Sequence, residues 1–110
     1  MELLQAYLDK YPDSRYTDRV RSLIASVYFE EGKYKEAIAM FRACDLEALP
    51  DAERDDCAMR LATSYLKEGN LRDASVWFLL LKEVSPRYQS DATYNLAYID
   101  YVGKNGIIRH

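Results

Sequence analysis

Glycine, proline and histidine are scarce in this 110-residue chain, with four, three and one copies. The only histidine, His110, is the last residue, so a Ser-His-Asp or Cys-His centre would rest on a terminal side chain with no shell to hold it. There is no glycine-rich phosphate loop and no His/Cys cluster with zinc spacing. Enzyme activity therefore has no support, and no cofactor is implied. Two cysteines are too few for a disulfide framework and leave the redox compartment open. No apolar run is long enough to span a bilayer, so direct membrane insertion is not expected. The opening Met1-Glu2-Leu3-Leu4 lacks the basic flank and continuous apolar core of a signal peptide. Basic side chains number 15 against 18 acidic ones and are interspersed with them. They form no stripe that could track a phosphate backbone, which argues against a nucleic-acid partner.

The scarce glycines and prolines carry the organisation. Gly32 and Gly69 each follow a long amphipathic run and suit the left-handed position just past a helix end. Pro12, Pro50 and Pro86 each follow a shorter apolar run, where proline cannot continue a helix. Apolar residues recur at three and four (Ile24, Val27, Tyr28, then Ala37, Phe41) and never alternate, so the spacing predicts helices and no strands. The expected helices cover 2–10, 14–31, 34–46, 51–68, 71–84 and 88–102. Links of a few residues make consecutive helices antiparallel neighbours.

Two of these hairpins superimpose in sequence. Ala25 and Ala62, Tyr28 and Tyr65, Gly32 and Gly69, Ala37 and Ala74, and Phe41 and Phe78 all stand 37 residues apart. An internal repeat of this length marks a helical solenoid. The alanines suit the close approach of two helices in a hairpin, and the phenylalanines suit the gap between one hairpin and the next.

Ala25-Ser26-Val27-Tyr28 … Gly32-Lys33-Tyr34-Lys35-Glu36-Ala37-Ile38 … Phe41 resembles the tetratricopeptide repeat motif. Leu61-Ala62-Thr63-Ser64-Tyr65 … Gly69-Asn70-Leu71 … Ala74 … Phe78 … Pro86 is a second copy, and Tyr94-Asn95-Leu96-Ala97 resembles the opening helix of a third. The resemblance implies an all-α, right-handed α-α superhelix of two full hairpins with a half-hairpin at each end. Residues 1–13 are then the second helix of a preceding repeat, 14–50 repeat 1, 51–87 repeat 2, and 88–110 a partial repeat 3. The spacing exceeds the family's usual one, and the extra residues, Leu49-Pro50-Asp51-Ala52-Glu53-Arg54, are expected to lengthen the 51–68 helix by about one turn at its start. Half-repeats at both ends read as a section of a longer solenoid, or as ends covered by another molecule. The Tyr11-Pro12-Asp13-Ser14 link is similar to that of bacterial envelope repeat proteins, among them the lipoprotein of the barrel-assembly machinery and the repeat protein of the Tol–Pal system. This favours a periplasmic or envelope location over a cytoplasmic one.

By the same resemblance, the first helix of each repeat lines a concave groove that takes a protein or peptide. Carried over residue by residue, the groove presents Arg19, Ser22, Leu23, Ser26, Phe29 and Glu30. From the second repeat come Asp56, Met59, Arg60, Thr63, Leu66 and Lys67, and from the third Asp91, Tyr94, Asn95, Tyr98, Tyr101 and Val102. Family members that grip chaperone tails use lysine and asparagine at set groove positions. Here those positions read Ser22, Ser26, Arg60, Asp91 and Asn95, so that clamp is not expected.

Three clusters have plainer readings beside their functional ones. Asp51, Glu53, Asp55 and Asp56 lack the alternating ligands and central glycine of a calcium loop; they read better as a helix N-terminus facing water. Cys44 and Cys57 read as two small buried apolar residues, with a disulfide across the linker as the alternative. Tyr94, Tyr98 and Tyr101 make a stripe on one helical face, either an aromatic wall for a peptide or, the reading favoured here, packing onto neighbouring helices. The expected function is a protein-interaction scaffold that binds a peptide or partner helix in its groove, in bacterial envelope assembly. The alternative is a structural spacer, or a segment that forms homo-oligomers through its uncovered end helices. An exposed cluster of Phe29, Met59, Leu66 and Tyr98 favours binding; their complete burial favours the spacer.

Overall fold

A computed structural model describes residues 1–13 and 16–104. Six α-helices follow one another: α1 (Glu2–Lys10), α2 (Thr17–Glu30), α3 (Tyr34–Ala43), α4 (Asp51–Lys67), α5 (Leu71–Val84) and α6 (Gln89–Lys104), with a short 3-10 turn at Leu46–Ala48. No strand occurs among the described residues. Each helix packs on its sequence neighbour, and α2 also packs on α4, which gives a helical repeat solenoid.

Glycine ends both long helices for the reason its position implies. Gly32 and Gly69 have φ of 76° and 79°, the left-handed region that a side chain disfavours. After α2 the Gly32 N–H donates to the Phe29 carbonyl at 3.0 Å and the Lys33 N–H to the Tyr28 carbonyl at 2.9 Å. After α4, Gly69 donates to Leu66 at 3.0 Å and Asn70 to Tyr65 at 2.9 Å. Both ends are complete Schellman motifs, so the helix carbonyls left over at each end find donors. The chain then reverses, and Ala37 and Ala74, facing Ala25 and Ala62 in the hairpins, are fully buried, as are Phe41 and Phe78.

Two helix bounds differ from the periodicity by three residues. The second helix begins at Thr17; Ser14 and Arg15 lie outside the described residues. Thr17 is buried, and its hydroxyl donates to the Tyr11 carbonyl at 3.1 Å, closing the α1–α2 link. The third helix stops at Ala43 rather than continuing to Leu46. Asp18, at the start of α2, draws the chain out of the helix: its carboxylate accepts from the Asp45 N–H at 2.9 Å, and its carbonyl accepts from the Cys44 thiol at 3.2 Å. Leu46 and Leu49 then bury themselves in the core, and the Asp45 side chain accepts from the Glu47 N–H to cap the 3-10 turn. Periodicity cannot register such a tether, because Asp18 is remote in sequence. On the far side of the linker, α4 starts three residues ahead of Arg54, the counterpart of Thr17 at the repeat offset, which is close to one extra turn.

The last helix runs from Gln89 to Lys104, past Gly103. Its burial pattern corrects the alignment of the third copy. Ala58, Leu61, Ala62 and Tyr65 face the core of α4, and the inward residues of α6 are Ala92, Asn95, Leu96 and Ile99, each 34 positions on. Matching Leu61-Ala62 with Leu96-Ala97 is one residue out of step, since Ala97 is exposed. A one-residue shift turns a helix by about 100°, which is enough to exchange a core position for a surface one.

A candidate binding cleft and a second cavity

The two long helices α2 and α4 lie side by side and leave a cleft of about 320 Å³ between them. Arg19, Ser22, Leu23 and Ser26 line it from α2, and Glu53, Asp56, Cys57 and Arg60 from α4. Six residues expected in the groove, Arg19, Ser22, Leu23, Ser26, Asp56 and Arg60, thus come together here. The polar groups are partly committed already. Arg19 forms an ion pair with Glu53 across the cleft, and the Ser22 hydroxyl donates to its own helix at the Arg19 carbonyl, 2.8 Å away.

Other groove candidates lie elsewhere. Phe29, Met59 and Leu66 are half-buried against the core, and the Phe29 ring meets the Tyr34 ring edge-on at 5.7 Å. The Thr63 hydroxyl turns back to the Met59 carbonyl at 2.8 Å, and the Asn95 amide to the Asp91 carbonyl at 2.9 Å. Glu30 and Lys67 are exposed at the ends of their helices, and Asp91 is exposed near the start of α6. Val102 belongs to the core, at 1% exposure, and does not face a groove. The corrected alignment of α6 accounts for the inward-facing Asn95, which takes the place of Leu61. Val102, by contrast, is buried one turn beyond Ile99, where its counterpart Glu68 is exposed.

The tyrosines of α6 also overturn the plainer reading. Tyr94, Tyr98 and Tyr101 are 72%, 45% and 58% exposed, so they do not pack away onto neighbouring helices. At the offset of 34, Tyr94 and Tyr101 take the helix positions of Arg60 and Lys67, on the same side as the cleft. Tyr98 takes that of Ser64, a fully buried residue whose hydroxyl donates to the Arg60 carbonyl. Tyr98 stays open because α6 does not pack on α4 as α4 packs on α2.

The acidic cluster at the start of α4 is occupied by cations of this chain. Arg54 reaches Asp51 at 3.3 Å and binds Asp55 through both Nε and Nη2, at 3.2 and 3.1 Å. Asp56 pairs with Arg87 at 3.0 Å and accepts the Tyr88 hydroxyl, which fastens the α5–α6 link onto α4. Burial and this carboxylate together raise the Tyr88 phenol above its usual range. The expectation that all four acids face water holds for Asp51 but not for Asp55, whose side chain is only 14% exposed. Both cysteines are buried free thiols. Burial, with Asp18 nearby, pushes the Cys44 thiol up to about 12, and burial raises Cys57 as well. At neutral pH Cys44 is therefore an unionised, weakly nucleophilic thiol.

A family model for the tetratricopeptide repeat matches residues 28–98, more than half of the chain. The chain belongs to the tetratricopeptide repeat family. Searches of the curated proteins and of the solved structures return no match. The family match covers the last residues of α2, all of α3, α4 and α5, and most of α6. It leaves out the Tyr11-Pro12-Asp13-Ser14 link on which the likeness to barrel-assembly and Tol–Pal proteins rests, and that likeness is not confirmed. Tetratricopeptide repeats generally mediate protein–protein interaction and are typically not catalytic. No helix of the described residues is long and apolar enough to cross a membrane.

A larger cavity, about 490 Å³, opens on the other side of α4, between α3 and α5. Phe41, Ala58, Leu61, Trp77 and Leu81 form its floor, Leu80 and Val84 one wall, and Arg42, Glu47, Arg54 and Asp55 its charged rim. Groove reasoning passed over it because it concerns only the first helix of each repeat. A signal for it existed in the sequence, though. The helix α5 carries more apolar residues than its core face (Ala74, Phe78, Leu81) needs, with Val76, Leu79, Leu80 and Val84 to spare.

Proposed function

We propose that this tetratricopeptide repeat chain binds a peptide or partner helix on the concave face built from α2, α4 and α6. Arg19, Ser22, Ser26 and Arg60 line the start of that surface, and Tyr94, Tyr98 and Tyr101 continue it. The carrying observation is the exposed tyrosine stripe, standing at the helix positions that follow on from the cleft. Tyrosine offers a large apolar contact with a polar tip and few torsions to freeze, which favours it at binding surfaces. Glu30 and Lys67 mark the rim, while Phe29, Met59, Thr63, Leu66 and Asn95 act beneath the surface as packing.

The repeat units are then 14–50 and 51–87, with 1–13 and 88–110 as parts of flanking repeats. The Tyr11-Pro12-Asp13-Ser14 link favours a role in bacterial envelope assembly. A spacer or self-association segment is the rival, supported by the half-burial of Phe29, Met59 and Leu66, which removes apolar side chains from the face. Affinity capture distinguishes the two. The chain is compared as bait with a Tyr94→Ala/Tyr101→Ala variant and with a Ser26→Arg variant that obstructs the cleft. Proteins retained by the parent bait and lost from both variants support groove binding; equal recovery by all three baits rejects it.

A further inference from the structure

The outer face of α5 is apolar where the repeat does not require it. Val76, Leu79, Leu80 and Val84 are 58%, 51%, 47% and 47% exposed, at spacings of three and four. Thirty-seven residues earlier the same positions hold Ala39, Arg42, Ala43 and Glu47. The fold is therefore satisfied by small or charged residues there, and the apolar side chains of α5 serve something else. Beside them the cavity between α3 and α5 exposes Trp77, and those two helices do not pack closely enough on each other to shut it. From Trp77 to Val84 the cavity runs about 10 Å along α5, the length of two helical turns.

The rim has a direction. On the α4 side Arg54 is held by Asp51 and Asp55, with Glu47 adding to the negative field around it. On the α3 side Arg42 is exposed and makes no ion pair among the described residues. An occupant therefore meets an apolar floor, a carboxylate-rich rim along α4 that repels acids, and one uncommitted guanidinium along α3. Arginine is suited to gripping a carboxylate by two parallel hydrogen bonds.

We propose that the groove between α3 and α5 is a docking site for an amphipathic helix of another protein, one carrying a carboxylate beside its apolar face. The apolar ridge lies over Trp77, Leu80 and Val84, and the carboxylate meets Arg42. This surface is separate from the cleft between α2 and α4, so the chain can hold two partners at once.

Trp77 is the only tryptophan, so its emission reports on this site directly. Two synthetic amphipathic helical peptides free of tryptophan serve as probes, identical except that glutamates beside the apolar face of one are lysines in the other. The acidic peptide is expected to shift Trp77 emission saturably, and its lysine twin to bind about fivefold more weakly. Arg42→Glu should reverse that preference, Leu80→Asp should weaken binding about tenfold, and Tyr94→Ala/Tyr101→Ala should leave it unchanged. Circular dichroism checks that Leu80→Asp folds, and Arg42→Glu tests the same site from an exposed position. The proposal is overturned if neither peptide shifts Trp77, or if both bind equally. It also fails if Arg42→Glu keeps the original preference, or if sedimentation finds a dimer that Leu80→Asp dissolves, which would make a second copy the occupant.

Discussion

The hairpin of α2 and α3 and the hairpin of α4 and α5 are two versions of one design. Their small, aromatic and glycine positions coincide, and all but half-buried Tyr28 and the turn glycines lie in the core. Everything outside that frame has diverged. The first hairpin ends early, tied to Asp18, and its outer face is small or charged; the second keeps a full-length α5 and an apolar outer face. The second is also better capped, since the Asn70 side chain accepts from the Asp73 N–H at 3.2 Å, whereas Lys33 provides no such cap for α3. Fold and recognition thus use different residues of the same helix, and a repeat can change partners without changing its packing.

The sharpest way to break this equivalence is to empty the shared core. Phe41→Ala and Phe78→Ala each remove a side chain no more than 1% exposed, and each should cost about 3–5 kcal/mol by urea unfolding. If Phe41→Ala costs less than half as much as Phe78→Ala, the first hairpin is a looser copy rather than an equal one. A smaller effect is expected from overpacking. Ala25→Leu and Ala62→Leu put a bulky side chain where both alanines have no exposed surface, at about 1–3 kcal/mol each. An unchanged melting temperature for either would show that the hairpin register is wrong at that position.

The smallest test concerns the turns. A Cβ at Gly32 or Gly69 would meet nothing within 4 Å, so only the left-handed backbone opposes alanine there. Gly32→Ala and Gly69→Ala should each cost about 1 kcal/mol, and nearly the same in the two hairpins. A clear difference between them would mean that the Asn70 cap changes the cost of the left-handed residue in the second turn.

The fold was legible because its determinants are local and repeated. Glycine at helix ends, proline after them, and alanine or phenylalanine at matching offsets each have one good structural use, and two copies confirm one another. The cleft was legible in part, through the family resemblance: Arg19, Ser22, Leu23, Ser26, Asp56 and Arg60 line it. The third copy misled because its helix has lost the Leu-Ala and tyrosine landmarks. Leu96-Ala97 imitates them one residue out of step, and the true match shows only in what is buried. The residues of the outer cavity come from α3, α4 and α5, and no single helical period connects them.

By itself, then, the sequence determined the helical elements, their hairpin pairing and the turns between them, because those depend on backbone preference and on contacts near in sequence. Tertiary structure alone decided where α3 stops, which face of α6 meets water, and that α3 and α5 leave Trp77 only partly buried. Each of these depends on contacts between residues distant in the chain, such as Asp18 with Asp45, or on a packing contact that is missing. Neither kind leaves a pattern in the order of the residues.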